Sequence, residues 1–121
     1  MSAKSPKPSP SGPPGEGGGP LIVRLWHGRT RPEDADTYHQ MLREEILPGI
    51  HRIAGYRGCY LLWRAAGDEV EFVTLTLWES LHAVRRFAGD DYERAVIHPA
   101  AEALLTRRDE RSTHYEAEWS P

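Results

Sequence analysis

The segment Glu69–Trp78 (EVEFVTLTLW) constrains this chain more than any other. Read at the two-residue period of a strand, one row is Val70, Phe72, Thr74, Thr76 and Trp78, and the other is Glu71, Val73, Leu75 and Leu77. Neither row is wholly polar, so both faces of the sheet need cover. A domain this small can lay helices over one face only. The other face calls for a second body, and a second copy of the same sheet is the simplest one.

The remaining elements arrange themselves around that strand. Residues 21–29 (LIVRLWHGR) are rich in β-formers and read as strand one. Thr30-x-x-Glu33, with Pro32 in the first turn, signals a capping box and the start of a helix. Ala35, Tyr38, Leu42 and Ile46 form its apolar stripe, widened by Met41 and Ile50, and Pro48-Gly49 should end it. Residues 56–65 are strand two, joined to Glu69–Trp78 by a turn at Ala66-Gly67-Asp68. Ser80 should cap a helix over residues 81–88 that stops at Gly89. Asp90-x-x-Glu93 should open a further helical segment carrying Tyr92, Ala95, Val96, Ala100, Ala103 and Leu104, broken or kinked at Pro99. Residues 112–119 alternate as strand four. The order β-α-β-β-α-β predicts an α+β, ferredoxin-like domain over residues 21–121 with a four-stranded antiparallel sheet.

The chain has 121 residues, enough for one domain. Residues 1–20 hold six Pro, five Gly and four Ser and read as a disordered tail, because they cannot bury enough surface to offset the entropy of ordering. They lack the apolar core of a signal peptide, and no run reaches the length of a membrane span, so a cytoplasmic location without membrane contact is expected. The net charge is −3; Lys4, Lys7 and Glu16 give the tail +1, leaving −4 on the domain, which argues against a nucleic-acid partner. Cys59 alone can form neither an internal disulfide nor a cysteine zinc cage, and reads as a small buried hydrophobe.

Six histidines (27, 39, 51, 82, 98, 114) form no H-x-H or H-x-x-x-H pair, so no metal site is expected. His39 and His82 should face solvent. Trp26, Trp63, Trp78 and Trp119 fall on strands and read mainly as core or interface packing. Arg24, between Val23 and Leu25, needs a carboxylate, a water or an anionic ligand. A salt bridge to Glu71 or Glu116 is the favoured reading, with anion binding second. His27 and Tyr60 are further candidates for a pocket. No Ser-His-Asp order, paired-carboxylate signature or phosphate loop stands out; the glycines of residues 15–19 follow no strand.

Strand three running into Leu77-Trp78-Glu79-Ser80, an amphipathic helix, and then Phe87-Ala88-Gly89-Asp90-Asp91 resembles the antibiotic biosynthesis monooxygenase superfamily over residues 21–119. The resemblance implies a dimeric α/β barrel: two sheets face to face, helices outside, and a pocket between each sheet and its own helices. It also implies a homodimer and a small aromatic ligand. The cofactor-free oxygenases of this group have a tryptophan at Trp78. Their asparagine, tyrosine and arginine fall on Thr74, Val84 and His98. Thr74 can still donate a hydrogen bond and His98 can supply a proton or a charge, but Val84 can do neither. Trp78, His98 and Thr74 are therefore the catalytic candidates, and Arg24, His27, Tyr60 and Phe87 the substrate-binding ones. Haem-degrading members use an asparagine near Leu25, a tryptophan at Phe87 and an iron-ligating histidine at Ile97, one residue from His98. The function expected first is a monooxygenase acting without cofactor on an aromatic or polyketide-like molecule. The alternatives are a haem-binding or haem-degrading protein and a non-catalytic dimeric binding module.

Overall fold

A computed structural model describes residues 20–121; apart from Pro20, the expected tail lies outside them. Five strands form one antiparallel sheet: β1 (Leu21–Thr30), β2 (Tyr56–Ala66), β3 (Glu69–Trp78), β4 (Leu105–Arg108) and β5 (Thr113–Ala117). The order is β2-β3-β1-β4, with β5 also paired to β1. The α+β, ferredoxin-like architecture is as expected. β2 and β3 form the expected hairpin through Gly67 and Asp68, and Gly67 takes a φ of 66°, a conformation that favours glycine.

The register settles which side chains share a face. Ile22, Arg24, Trp26 and Gly28 lie opposite Trp78, Thr76, Thr74 and Phe72, and these rows face the helices. Val23, Leu25 and His27 lie opposite Leu77, Leu75 and Val73 on the other face, which Tyr60 and Leu62 of β2 and Tyr115 of β5 extend.

The expected fourth strand forms as β5, and β4 is a fifth strand added to the expected four. β4 pairs with β1 around Gly28–Thr30 and β5 pairs around Leu21–Leu25, so residues 109–112 bulge between two pieces of one edge. Asp109 holds the bulge in place. Its amide donates to the His27 carbonyl at 2.9 Å, its carboxylate accepts from the His27 amide at 3.0 Å, and its carbonyl accepts from Trp26 Nε1 at 2.9 Å.

The first helix departs from expectation at both ends. Thr30 belongs to β1, and its hydroxyl donates to the Arg31 carbonyl at 2.9 Å instead of forming a capping box. Arg31 is the N-cap of α1 (Pro32–Met41), without a side-chain cap. Pro48 does not end the helix. A π-helical turn, Leu42–Ile46, leads into α2 (Leu47–Ile50), and the wider turn gives room for a ring that would crowd the carbonyl of residue 44 in a regular α-helix.

Ser80 caps α3 (Leu81–Ala88) as expected, accepting from the Ala83 amide at 3.1 Å, and Gly89 closes it at a φ of 88°. The helix expected from Asp90 onward is absent apart from one turn, α4 (Pro99–Glu102). The backbone around Glu93 is engaged across the fold instead: the Ala95 amide donates to the Glu110 carbonyl at 3.0 Å, and the Glu93 carbonyl accepts from the Ser112 amide at 2.6 Å. Pro99 keeps His98 extended and then starts α4 from its first turn, where its missing N–H leaves no helical bond unmade.

Two apolar clusters fill the space between helices and sheet. Tyr38, Leu42, Phe72 and Ala101 form one, and Ile50, Trp78, Ala83 and Val84 form the other. Ile46, in the π-helical turn, packs on both.

Candidate functional site

A cavity of about 70 Å³ lies at the seam between the two clusters. Leu42, Ile46, Leu47 and Ile50 form its helical wall, Phe87 and residues 96–98 its rim, and Arg24, Trp26, Thr74, Thr76 and Ser112 its sheet side. The lining is mostly apolar with a few polar groups converging, which is the usual composition of a small-molecule site. Gly28 helps to shape it, because a Cβ there would lie 2.6 Å from the Trp26 ring.

The structure brings together four of the sequence-derived candidates, Arg24, Thr74, Phe87 and His98. Trp78 stands behind them. It is fully buried, stacked on Phe87 with ring centroids 5.5 Å apart, and donates from Nε1 to Thr76 Oγ1 at 2.9 Å. His27 and Tyr60 lie elsewhere, on the open face of the sheet. His27 Nδ1 meets the Asp109 carboxylate at 2.9 Å, and Tyr60 is 57 % exposed. Strand alternation decides this, since a one-residue change of parity moves a side chain through the sheet. Val84 is enclosed in core packing beside Trp78.

His98 sits exposed at the cavity rim as the N-cap of α4, where Nδ1 accepts from the Ala100 amide at 3.1 Å. Nε2 is left for a partner. Leu25, near which the haem-degrading members carry their asparagine, faces away from the cavity, so that set does not assemble around it. Among the described residues, no three His, Cys, Asp or Glu side chains gather as metal ligands. Burial pushes the Cys59 thiol up to about 11, which leaves it an unreactive packing group.

Arg24 overturns the expected salt bridge. Glu71 lies on the opposite face, where Arg64 Nε binds it at 2.6 Å and holds its carboxyl below the usual range; Glu116 pairs in register with Ile22, away from Arg24's own partner His114. Arg24 donates instead to the carbonyls of Tyr92 and Arg94, the latter at 3.0 Å, and Nη1 meets His114 Nε2 at 3.1 Å. It thereby ties residues 92–94 to the sheet. Burial pulls the Arg24 pKa down to about 10. Burial first, and the Arg24 charge second, keep His114 below the ordinary histidine range. Three further groups belong to the site: Trp26, which reads in the sequence as packing, His114, one of six histidines without a pattern, and Ser112. Alternation along residues 112–119 puts Ser112 and His114 on one face, but nothing local to that stretch places them beside β1.

No family model and no curated protein matches the sequence. Solved structures do match the fold. A provisionally assigned antibiotic biosynthesis monooxygenase from Bacillus cereus superposes with a TM-score of 0.60 at 16 % identity, over 85 % of this chain and 98 % of that one. The chain has the antibiotic biosynthesis monooxygenase fold. A monooxygenase from the gene ActVA-Orf6 of Streptomyces coelicolor, solved in complex with nanaomycin D, matches with a TM-score of 0.57 at 16 % identity, over 84 % of this chain and 90 % of that one. A NIPSNAP family protein from Agrobacterium tumefaciens matches with a TM-score of 0.53 at 19 % identity, over 79 % and 84 %. This fold thus extends beyond the proteins named as monooxygenases. None of the described helices is long and apolar enough to cross a membrane.

Proposed function

We propose that this protein is a cofactor-independent monooxygenase of the antibiotic biosynthesis type, acting on a small aromatic or polyketide-like molecule in the cavity between sheet and helices. The observation that carries the reading is the cavity itself: an apolar slot walled by Trp26, Phe87, Leu42 and Ile46, with Arg24, Thr74 and His98 as polar groups on its surface. An engineered apolar cavity of about 150 Å³ takes up benzene. At about 70 Å³ this one must open as a ring system enters, and Phe87 and residues 96–98 form the rim that would yield. Within the proposal, Thr74 and His98 orient the bound ring and exchange a proton with it. Trp78 acts indirectly, by holding the Phe87 ring in place.

The same reading includes a homodimer through the open sheet face. Tyr60, Leu62 and Tyr115 are 57, 45 and 53 % exposed there, beside Val23, Leu25, Val73 and Leu75. An apolar face of this kind marks an interaction surface, and a second copy of the same sheet can pack on it face to face.

The test is oxygen consumption with a panel of anthrones and hydroquinones, run beside a binding titration. Oxygen-dependent turnover that falls in Thr74→Val and His98→Ala supports the oxygenase. Tight aromatic binding with no oxygen uptake would replace it with the non-catalytic binding module.

A further inference from the structure

The sheet side of the cavity holds a cation without a counter-charge. Arg24 is only 5 % exposed, yet each group bonded to it is neutral: two backbone carbonyls and an imidazole nitrogen. For Nε2 of His114 to accept from Arg24, the ring proton must sit on Nδ1, and that atom is buried without a partner. The imidazole therefore cannot offset the charge. Glu93, the carboxylate that acts on His114, is engaged by Arg111 at 3.4 Å on the exposed side of the loop. Among the described residues, no carboxylate lies within ion-pair distance of Arg24. Its bonds use three of five N–H groups, so Nε–H and one Nη2–H have no acceptor there. The Phe87 ring lies 5.4 Å from the guanidinium carbon, so an aromatic wall adjoins the charge.

A second buried polar group shares the same cavity. Ser112 is 4 % exposed, its Oγ has no partner, and it lines the cavity with Arg24. It lies two residues before His114 on the same edge of β1. A buried hydroxyl without a partner and a buried cation without an anion are both costly to keep. An acidic oxygen in the cavity would satisfy both at once.

We propose that Arg24 and Ser112 form an anion subsite, so that the cavity takes an aromatic ligand by a carboxylate or phenolate oxygen. Arg24 Nε–H and the free Nη2–H donate to that oxygen, the Ser112 hydroxyl donates beside them, and the ring packs on Phe87 and Trp26. This inference rests on the reading of the cavity as an aromatic-binding site and specifies which aromatics enter it.

The experiment is a calorimetric titration of the full chain at neutral pH with four naphthalene probes. The anions 2-naphthoate and 2,4-dinitro-1-naphtholate distinguish carboxylate from phenolate, and 2-naphthamide and 2-naphthol are the neutral controls. At least one anion is expected to bind about tenfold or more tighter than the neutral pair. Ser112→Ala, a small change that leaves the Arg24 bonds in place, should weaken the anion several-fold and leave 2-naphthamide unchanged. Arg24→Gln should abolish the preference, and Arg24→Lys should retain part of it. Equal affinity for anions and neutral probes in the native chain would overturn the subsite while leaving the aromatic cavity standing. So would a Ser112→Ala variant that weakens both classes alike. Failure of all four probes to bind would remove the aromatic cavity, and the subsite with it.

Discussion

The two faces of the sheet are built from the same strands and have opposite fates. On one, Trp26, Phe72 and Trp78 are covered by α1, the π-helical turn and α3, with a cavity left at the seam. On the other, Val23, Leu25, Val73 and Leu75 lie under none of the described helices, while Tyr60, Leu62 and Tyr115 are exposed. The covered face gathers Arg24, Thr74, Phe87 and His98 around the cavity, and the proposed chemistry belongs to this side. The open face combines exposed apolar area with the His27–Asp109 and Arg64–Glu71 pairs, and the proposed association belongs to this side. A strand with two apolar rows therefore need not mean one large core. It can divide between a site and an interface.

The largest effect should come from breaking the covered face. Trp78→Ala is expected to cost about 3–5 kcal/mol, the range for truncating a buried aromatic. Trp63 faces the same side but sits at the sheet margin against His39, 57 % exposed. Trp63→Ala should cost less than about 1 kcal/mol, because little of its surface is removed from water. Urea unfolding midpoints of the two variants check the pair, and equal losses would contradict the account of where the core lies.

Leu75→Glu tests the open face. If that face pairs with itself, light scattering should show the mass halving while circular dichroism stays native, since each copy loses about 2 kcal/mol of apolar contact and gains a buried charge. A native chain already monomeric at high concentration would end the pairing proposal.

Phe87→Ala bears on the seam. Phe87 is partly buried between Trp78 and Arg24, and its removal should cost about 2 kcal/mol while enlarging the cavity. An aromatic ligand should then recover part of the lost melting temperature, as ligands of the folded state do. An affinity for that ligand that Phe87→Ala leaves unchanged would show that Phe87 does not border the binding space.

The smallest effect concerns pH. His114 titrates below its unfolded value, so the unfolded chain binds the extra proton first. Its contribution is intact above about pH 6.5 and is lost as pH falls below that toward the folded value. The slope of stability between pH 7 and 5 should flatten in His114→Asn by a fraction of a kcal/mol per pH unit. An unchanged slope would mean that His114 is not what the folded state keeps neutral.

Much of the fold could be read locally. The hairpin at Gly67-Asp68 and the Ser80 cap are set by a few adjacent residues, and they form as expected. The stretch from Asp90 to Leu104 was not readable in that way. Its helical pattern is real, but the amides of Ala95 and Ser112 find partners in each other's segments, and distant hydrogen bonds outweighed local propensity. Pro48 departs from its local expectation for a related reason, since a π-helical turn that packs on both clusters makes room for a proline that ends an isolated helix.

The site divides along the same line. The sequence by itself determined that Glu69–Trp78 would need cover on both faces, that Arg24 would be buried in need of a partner, that Phe87 would lie on the helix over residues 81–88, and that His98 would stand just before the break at Pro99. These follow from residue type and period, which act over a few positions. Only the tertiary structure decided that Arg24 would meet Tyr92, Arg94 and His114 and not Glu71, and that His27 and Tyr60 would face away from the cavity. Only it decided that Ser112 would come to the cavity on a bulge held by Asp109. Strand register and the parity of a strand's faces are set by pairing between distant segments, so no window along the chain contains them.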